Sequence, residues 1–447
     1  MIRYSGVLTV TGKDPSLDKL RKEFTFENPV YKILKRSGKH RWTSPYIRIY
    51  ESNKMFTAFP RGALPFCVPD ISEPLNVFPL EDTIDILPEV MLRKHQEDAY
   101  TEIIKADNGY VRMPTSSGKT LTMINLAVKL KQKTLILMDK TSLVEQWVAE
   151  IQKFTGYSAG KIHSKSKHLI KDITVATYQS VTEEIINQFS VVIVDEAHHA
   201  VAGKFKGLLM KYKGKHLYGC TATNLRSDGV PVSVIFGGKL YEIGESELVD
   251  NGTIMKPKYY QVLTPYTVGY NENMSPSEMY SLLLNNIERN KDIAHMAASL
   301  FYKGKTMLLL TQRIEHANVL SKMLQDLGVE NEIIFGGVKE SRRQEIIQSI
   351  RDKDLRCLIG STVADEGLDI PSLDTILLTS PAKFKGKMIQ RVGRVVRTAV
   401  NKKIAEIYDI ADMNEGVFIG QFNSRWDAMK EYFGLQTFKK IDIRSFK

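Results

Sequence analysis

One rhythm constrains this chain more than anything else in it. Short, mainly apolar runs return along the sequence, separated by longer helix-like stretches: Thr134–Met138, Ile173–Thr177, Val191–Val194, His216–Cys220, Thr306–Leu310, Arg356–Gly360, Thr375–Thr379 and Ala405–Ile410. They lack period-two alternation, so they read as strands covered on both faces, the habit of parallel sheets. A join between Gly252 and Ile293 divides them, which predicts two α/β lobes at 89–252 and 253–447. In such sheets ligands bind at the carboxyl ends of the strands. The motifs below begin at those ends or in the loops and helices just beyond.

Residues 1–88 follow a different pattern. Alternation in Tyr46-Ile-Arg-Ile-Tyr50, with turn signals at Asn28-Pro29, Ser37-Gly38 and Pro60-Arg-Gly62, predicts a small β-rich or α+β domain. Lys and Arg outnumber Asp and Glu in it, and a Pro-containing linker is expected at Asp82–Pro88. The whole chain carries a formal charge of +11, compatible with a polyanionic partner or with an ordinary solvated surface. Cys67, Cys220 and Cys357 lie far apart without metal-ligand spacing, which points to a reducing compartment. No signal peptide and no span long enough for a bilayer is recognised. A cytoplasmic monomer is expected, in a host cytoplasm if phage-encoded.

Two segments carry chemistry. Met113-Pro-Thr-Ser-Ser-Gly-Lys-Thr120 lies between a strand-like and a helix-like stretch. Small residues such as Pro114, Thr115, Ser116, Ser117 and Gly118 let backbone N–H groups wrap a phosphate, and the following helix N-terminus favours its charge. Lys119 is suited to the β/γ-phosphates and Thr120 to Mg²⁺. Met113 stands where the strict loop pattern has its first glycine. In Val192-Ile-Val-Asp-Glu-Ala-His198, two adjacent acids end an apolar strand. Asp195 is suited to hold Mg²⁺ and Glu196 to polarise an attacking water.

This pair of motifs resembles the DEAD/DEAH-box motor of superfamily 2 helicases. The resemblance implies two RecA-like lobes, ATP and Mg²⁺, and hydrolysis at the cleft between lobes. It extends to further segments in order. Leu92-Arg-Lys-His-Gln96 resembles the adenine-binding segment, with Arg93 and Gln96 as its candidates, and Thr221-Ala-Thr223 the coupling motif. Ser361–Asp369 resembles motif V, with Gly367 and Asp369 near the ribose and Thr362 facing nucleic acid. Gln390-Arg-Val-Gly-Arg-Val-Val-Arg397 resembles motif VI. In a helix Gln390, Arg394 and Arg397 would share one face, and the two arginines would stabilise charge on the transferring phosphoryl group.

The resemblance also proposes nucleic-acid contacts: Ser142 and Gln146, Thr177 and Gln179, Gln312 and Arg313, Gly337 and Arg342, and Lys383 and Lys385 before motif VI. Such backbone contacts set register without reading sequence. Trp147 and Trp426 are expected in the core, and His199 is expected to orient its acidic neighbours. Finer features are most similar to phage UvsW-type branch-migration enzymes, with residues 1–88 engaging branched DNA. That implies remodelling of forks, R-loops and Holliday junctions, in company with replication or recombination proteins. An RNA helicase and a nucleic-acid-stimulated ATPase switch within a larger complex remain the alternatives.

Overall fold

In the computed structural model, the described residues are 2–4, 7–11, 16–41, 43–53, 55–66, 91–114, 117–164, 169–201, 203–222, 228–269, 274–361, 370, 372–381 and 404–446. They form two compact units, 1–114 with 118–243, and 115–117 with 244–447.

The first unit is built on a seven-stranded sheet. Across it run Lys239–Glu242, Asn108–Arg112, His216–Thr221, Val191–Asp195, Thr134–Met138, Ile173–Thr177 and Gly160–Ile162. Every pairing is parallel. The central runs are apolar because both faces are covered: Val191 to Val194 and Leu135 to Met138 have no exposure. Parallel register brings Arg112, Thr221 and Asp195 to one edge, with Thr221 opposite Arg112 and Cys220 opposite Asp195. Sequence-distant loops therefore meet there.

An antiparallel sheet of Ile2–Tyr4, Leu8–Thr11, Phe56–Phe59 and Glu51–Ser52 and a separate pair, Thr25–Glu27 with Tyr46–Arg48, form the N-terminal part. It is fastened to the parallel sheet's neighbourhood by one buried arginine. Arg61 is 2% exposed; its guanidinium donates to Asn108 Oδ1 (2.7 Å) and to the carbonyls of Lys215 (3.1 Å), Tyr212 (3.2 Å) and Gly214 (2.6 Å), and lies over the Tyr212 ring. At the next residue, Gly62, a Cβ would sit 2.1 Å from the Ser233 carbonyl oxygen, so the backbones touch. One apolar cluster joins Leu8, Val10, Phe24 and Phe59 to Phe189, Phe205 and Phe236. The N-terminal part thus moves with the first unit. The expected linker at 82–88 lies outside the described residues.

The second unit carries another all-parallel sheet of seven strands: Glu332–Ile334, Cys357–Ser361, Met307–Thr311, Thr375–Leu378, Glu406–Ala411, Lys258–Leu263 and Lys439–Asp442. The expected α/β class with a small α+β domain is what the chain adopts. The apolar runs named above fall on strands shifted by a residue at most, but Gly160–Ile162, Lys239–Glu242, Lys258–Leu263, Glu332–Ile334 and Lys439–Asp442 were not foreseen. Four of these are the edge strands of their sheets, where burial is partial and the apolar run is broken by charge. No helix among the described residues is long and apolar enough to cross a membrane.

Candidate nucleotide and metal site

The strand Asn108–Arg112 ends in the phosphate-loop segment. Met113 is fully buried and its N–H donates to the Thr221 carbonyl at 2.9 Å, so it continues the sheet instead of opening the loop. Gly118 has φ +86° and caps the helix Lys119–Leu130. Its carbonyl accepts from the Thr122 N–H (3.1 Å), the Thr122 hydroxyl (3.2 Å) and Gln96 Nε2 (3.3 Å). A Cβ on Gly118 would stand 2.0 Å from Gln96 Nε2, so only glycine meets both demands. Lys119 and Thr120 occupy the first turn, where backbone N–H groups lack intrahelical acceptors. That is a cradle suited to an anionic phosphate.

Gln96 is 3% exposed, and its Oε1 accepts from the Arg93 N–H at 2.8 Å. The side chain that sequence assigned to adenine is therefore held between its own helix start and the phosphate loop, while Arg93 is exposed. Ser117 is buried and Pro114 likewise; Thr115 and Ser116 lie outside the described residues.

Asp195 ends the strand Val191–Asp195, which His216–Thr221 separates from the strand leading into the loop. Its Oδ2 accepts from the Trp147 indole N–H at 2.8 Å, and its Oδ1 from the Glu196 N–H (2.9 Å) and the Cys220 thiol (3.4 Å). Burial, and then the charge of Glu196, push the Asp195 carboxyl above the usual carboxylate range, with Lys119 and the donors opposing. The same burial beside Asp195 raises the Cys220 thiol well above its ordinary value, so it stays protonated as a donor. Glu196 adopts φ +46°. The other non-glycine residues with positive φ among those described, Lys131 and Lys353, merely cap helix ends. Glu196 is instead strained within a functional turn, at a cost on the order of 1–3 kcal/mol. Its Oε1 lies 4.0 Å from Lys119 Nζ, and its buried Oε2, 3.4 Å from His198 Nδ1, makes no hydrogen bond among the described residues.

His198 corrects an expectation. The ring beside Glu196 and 3.1 Å from the Thr221 hydroxyl is His198, held neutral because burial lowers its pKa to about 4. His199 is 41% exposed on its side chain, with its nearest acid, Asp139, 3.9 Å away. The short turn after Glu196 sends the two imidazoles to different neighbours. Trp147 is core, as expected, at 2% exposure, but its N–H is spent on Asp195, which no spacing in the sequence announces. Cys220 is placed by register alone.

Among the described residues no cluster of three or more His, Cys, Asp or Glu is arranged to grip a metal. The Asp195 carboxylate at its strand end and the Thr120 hydroxyl in the first turn of its helix are oxygen donors of the kind Mg²⁺ takes, since it keeps several waters and takes its remaining ligands from phosphate oxygens. The donor set therefore fits a magnesium nucleotide.

In the first unit the proposed nucleic-acid residues follow the ends of the neighbouring strands Thr134–Met138 and Ile173–Thr177. Ser142 and Gln146 lie half-buried in the first turns of the helix Thr141–Thr155. Gln179 Nε2 donates to the Asp139 carbonyl at 3.1 Å, and Thr177, 5% exposed, donates its hydroxyl to Ser180. In the second unit Arg313 donates to the Ser281 hydroxyl (2.8 Å) over the Tyr280 ring, next to half-buried Gln312. Gly337 is exposed, and Arg342 pairs with Glu332 (2.7 Å) and Glu345 (3.1 Å). Thr362, Gly367, Asp369, Lys383, Lys385, Gln390, Arg394 and Arg397 lie outside the described residues.

Comparison with known proteins agrees with this arrangement. Residues 89–226 match the family described as type III restriction enzyme, res subunit, and residues 290–399 match the helicase conserved C-terminal domain. Helicase 22 of Sulfolobus islandicus filamentous virus is 27% identical over 74% of this chain and 65% of its own length, just under two thirds. A mimivirus protein of Acanthamoeba polyphaga, named for ATP-dependent RNA helicase activity (L396), is 27% identical over 90% of this chain and 78% of its own. The DNA 3'-5' translocase XPB2 of Sulfurisphaera tokodaii is 25% identical over 71% of this chain and 82% of its own. In fold, the chain is similar to Dbp5 of S. cerevisiae bound to RNA and ADP BeF3, with a TM-score of 0.56, 17% identity, and 79% and 90% of the two chains covered. The two matches lie in tandem, the arrangement of the ATP-hydrolysing superfamily 2 helicases that this chain resembles.

Proposed function

We propose that the chain is an ATP-dependent DNA translocase that remodels branched duplexes, such as forks, R-loops and Holliday junctions, by branch migration and unwinding. The observation that carries this reading is the alignment with a named DNA translocase over 82% of that relative. The net charge of +11 supports it. The N-terminal part, fixed by Arg61, then extends the first lobe as a rigid surface toward the branch.

In this reading the loop at Gly118 and the first turn of its helix bind the phosphates, with Lys119 at the β/γ end. Thr120 and Asp195 hold Mg²⁺, which when bound neutralises charge on the phosphates. Glu196 orients the attacking water and takes its proton. Its strained backbone and unsatisfied oxygen support that role, since strain of this kind concentrates where geometry must be over-determined. Neutral His198, hydrogen-bonded to the Thr221 hydroxyl, stands 3.4 Å from Glu196 Oε2, so its ring lies between the Thr221 turn and the base. Arg394 and Arg397 are assigned to charge on the transferring phosphoryl group, and Gln390 to orienting it.

The relative named for RNA helicase activity, covering 90% of this chain, favours a second reading in which structured RNA is the substrate. ATPase stimulation by single-stranded DNA, duplex DNA, a four-way junction and RNA separates the two. The junction and duplex are expected to stimulate most, and stimulation by RNA alone overturns the proposal.

A further inference from the structure

The carboxylate assigned to the metal is oriented from outside its own segment. An aspartate's terminal torsion is soft and roughly two-fold, so its two oxygens swing unless donors fix them. Oδ1 of Asp195 is met by a weak thiol donor and by the N–H of strained Glu196. Oδ2 is met by the indole N–H of Trp147, 48 positions earlier in the chain and 2% exposed. A buried indole needs some acceptor. Here that acceptor is the carboxylate assigned to the metal.

We propose that Trp147 is a positioning residue for the metal site: its N–H fixes the rotation of the Asp195 carboxylate and so sets its hold on the divalent cation. This rests on the role given to Asp195 above. The helix that bears the indole, Thr141–Thr155, also carries Ser142 and Gln146 in its first turns. One rigid element therefore supports both the metal carboxylate and the proposed backbone contacts.

The test uses the full chain with a non-hydrolysable ATP analogue, measuring Mn²⁺ affinity by electron paramagnetic resonance and analogue affinity in EDTA. Removing an outer partner of a metal ligand typically weakens the metal about 10-fold or more. Trp147→Phe is expected to lower Mn²⁺ affinity by about that factor while analogue affinity in EDTA stays unchanged. Benzothienylalanine at position 147, which keeps the ring shape and lacks the N–H, is expected to do the same. Equal losses with and without metal in both variants would mean that the ring only packs, and would overturn the inference. So would unchanged Mn²⁺ affinity in both, provided Asp195→Asn loses it. If Asp195→Asn also keeps its Mn²⁺ affinity, the metal assignment itself fails and takes this inference with it.

Discussion

The two units treat buried charge in opposite ways. At the strand ends of the first, Asp195 is pushed toward its neutral form, Glu196 is strained with an unsatisfied oxygen, and Lys119 stands 4.0 Å away without close pairing. In the second, buried arginines face carboxylates, although Arg289 Nη1 makes no hydrogen bond among the described residues. Arg289 grips Asp412 through Nε (2.8 Å) and Nη2 (2.9 Å) with both side chains at 0% exposure, and Thr264 donates to the same carboxylate. Arg425 grips Asp409 in the same two-pronged way, with the Tyr259 hydroxyl donating to it as well. Under-compensated charge costs stability and is kept where chemistry uses it; bidentate pairs are a frame. The contrast therefore supports the role proposed for the first unit's edge and sets the second unit's pairs apart as structural.

The largest expected effect lies on the reactive side. Glu196→Gln keeps the shape and removes the base, so turnover should fall by about 10²-fold or more while ATP binding persists. Steady-state hydrolysis set against equilibrium nucleotide binding checks this. A variant that still turns over normally would remove Glu196 from the mechanism. On the structural side, Asp412→Ala leaves Arg289 buried and unpaired, which should cost about 3–5 kcal/mol in urea unfolding. Replacing both partners, as Arg289→Met with Asp412→Leu, should recover most of that, because matched apolar groups avoid the desolvation penalty. If Asp412→Ala instead left stability intact and abolished hydrolysis, the comparison would break.

Intermediate in size is the N-terminal anchor. Arg61→Met removes charge-assisted bonds to Asn108 and three carbonyls, with an expected loss of about 1.5–3 kcal/mol. Limited proteolysis should then release the N-terminal part before the parallel sheet is cut. If it unfolds only with the whole chain, the apolar cluster shared with Phe205 and Phe236 is the stronger tie.

The candidate site was legible in the sequence and the frame was not. Lys119, Asp195 and Glu196 sit in short motifs whose residue order is itself the signal, and their strands are buried on both faces, so the apolar runs advertise them. Arg289 and Asp412 lie 123 positions apart, and Arg425 pairs with Asp409 from the next helix. Each of them reads locally as an ordinary polar residue. The strand Lys258–Leu263, inside the segment taken for a join, pairs with Glu406–Ala411 far along the chain, and its Lys, Tyr and Gln hide its burial. Trp147 belongs to the same class: its size announced the core, but only register shows which acceptor it meets.

The smallest effect near neutrality is a pH dependence that differs between units. His216 in the first unit is held to about 4 by burial, with Asp107 pulling the other way. His316 in the second is held to about 3 by burial and the Arg289 charge, between the Thr311 hydroxyl (2.6 Å) and Asn290 Oδ1 (3.1 Å). In both, the folded pKa lies below the unfolded value of about 6.5, so below that pH the unfolded chain binds more protons. Stability from these groups is present above pH ~6.5 and is lost as pH falls toward about 4 for His216 and about 3 for His316. Within each window a single site contributes a slope of roughly 1.4 kcal/mol per pH unit. Unfolding followed from pH 7 to 4.5 should therefore be flat at first and then steepen. His316→Gln should flatten the acid limb by about one such slope, and His216→Gln by somewhat less, because Asp107 partly compensates its charge. An unchanged limb in His316→Gln would mean that its ring is not the neutral, doubly hydrogen-bonded group that the second unit's interior requires.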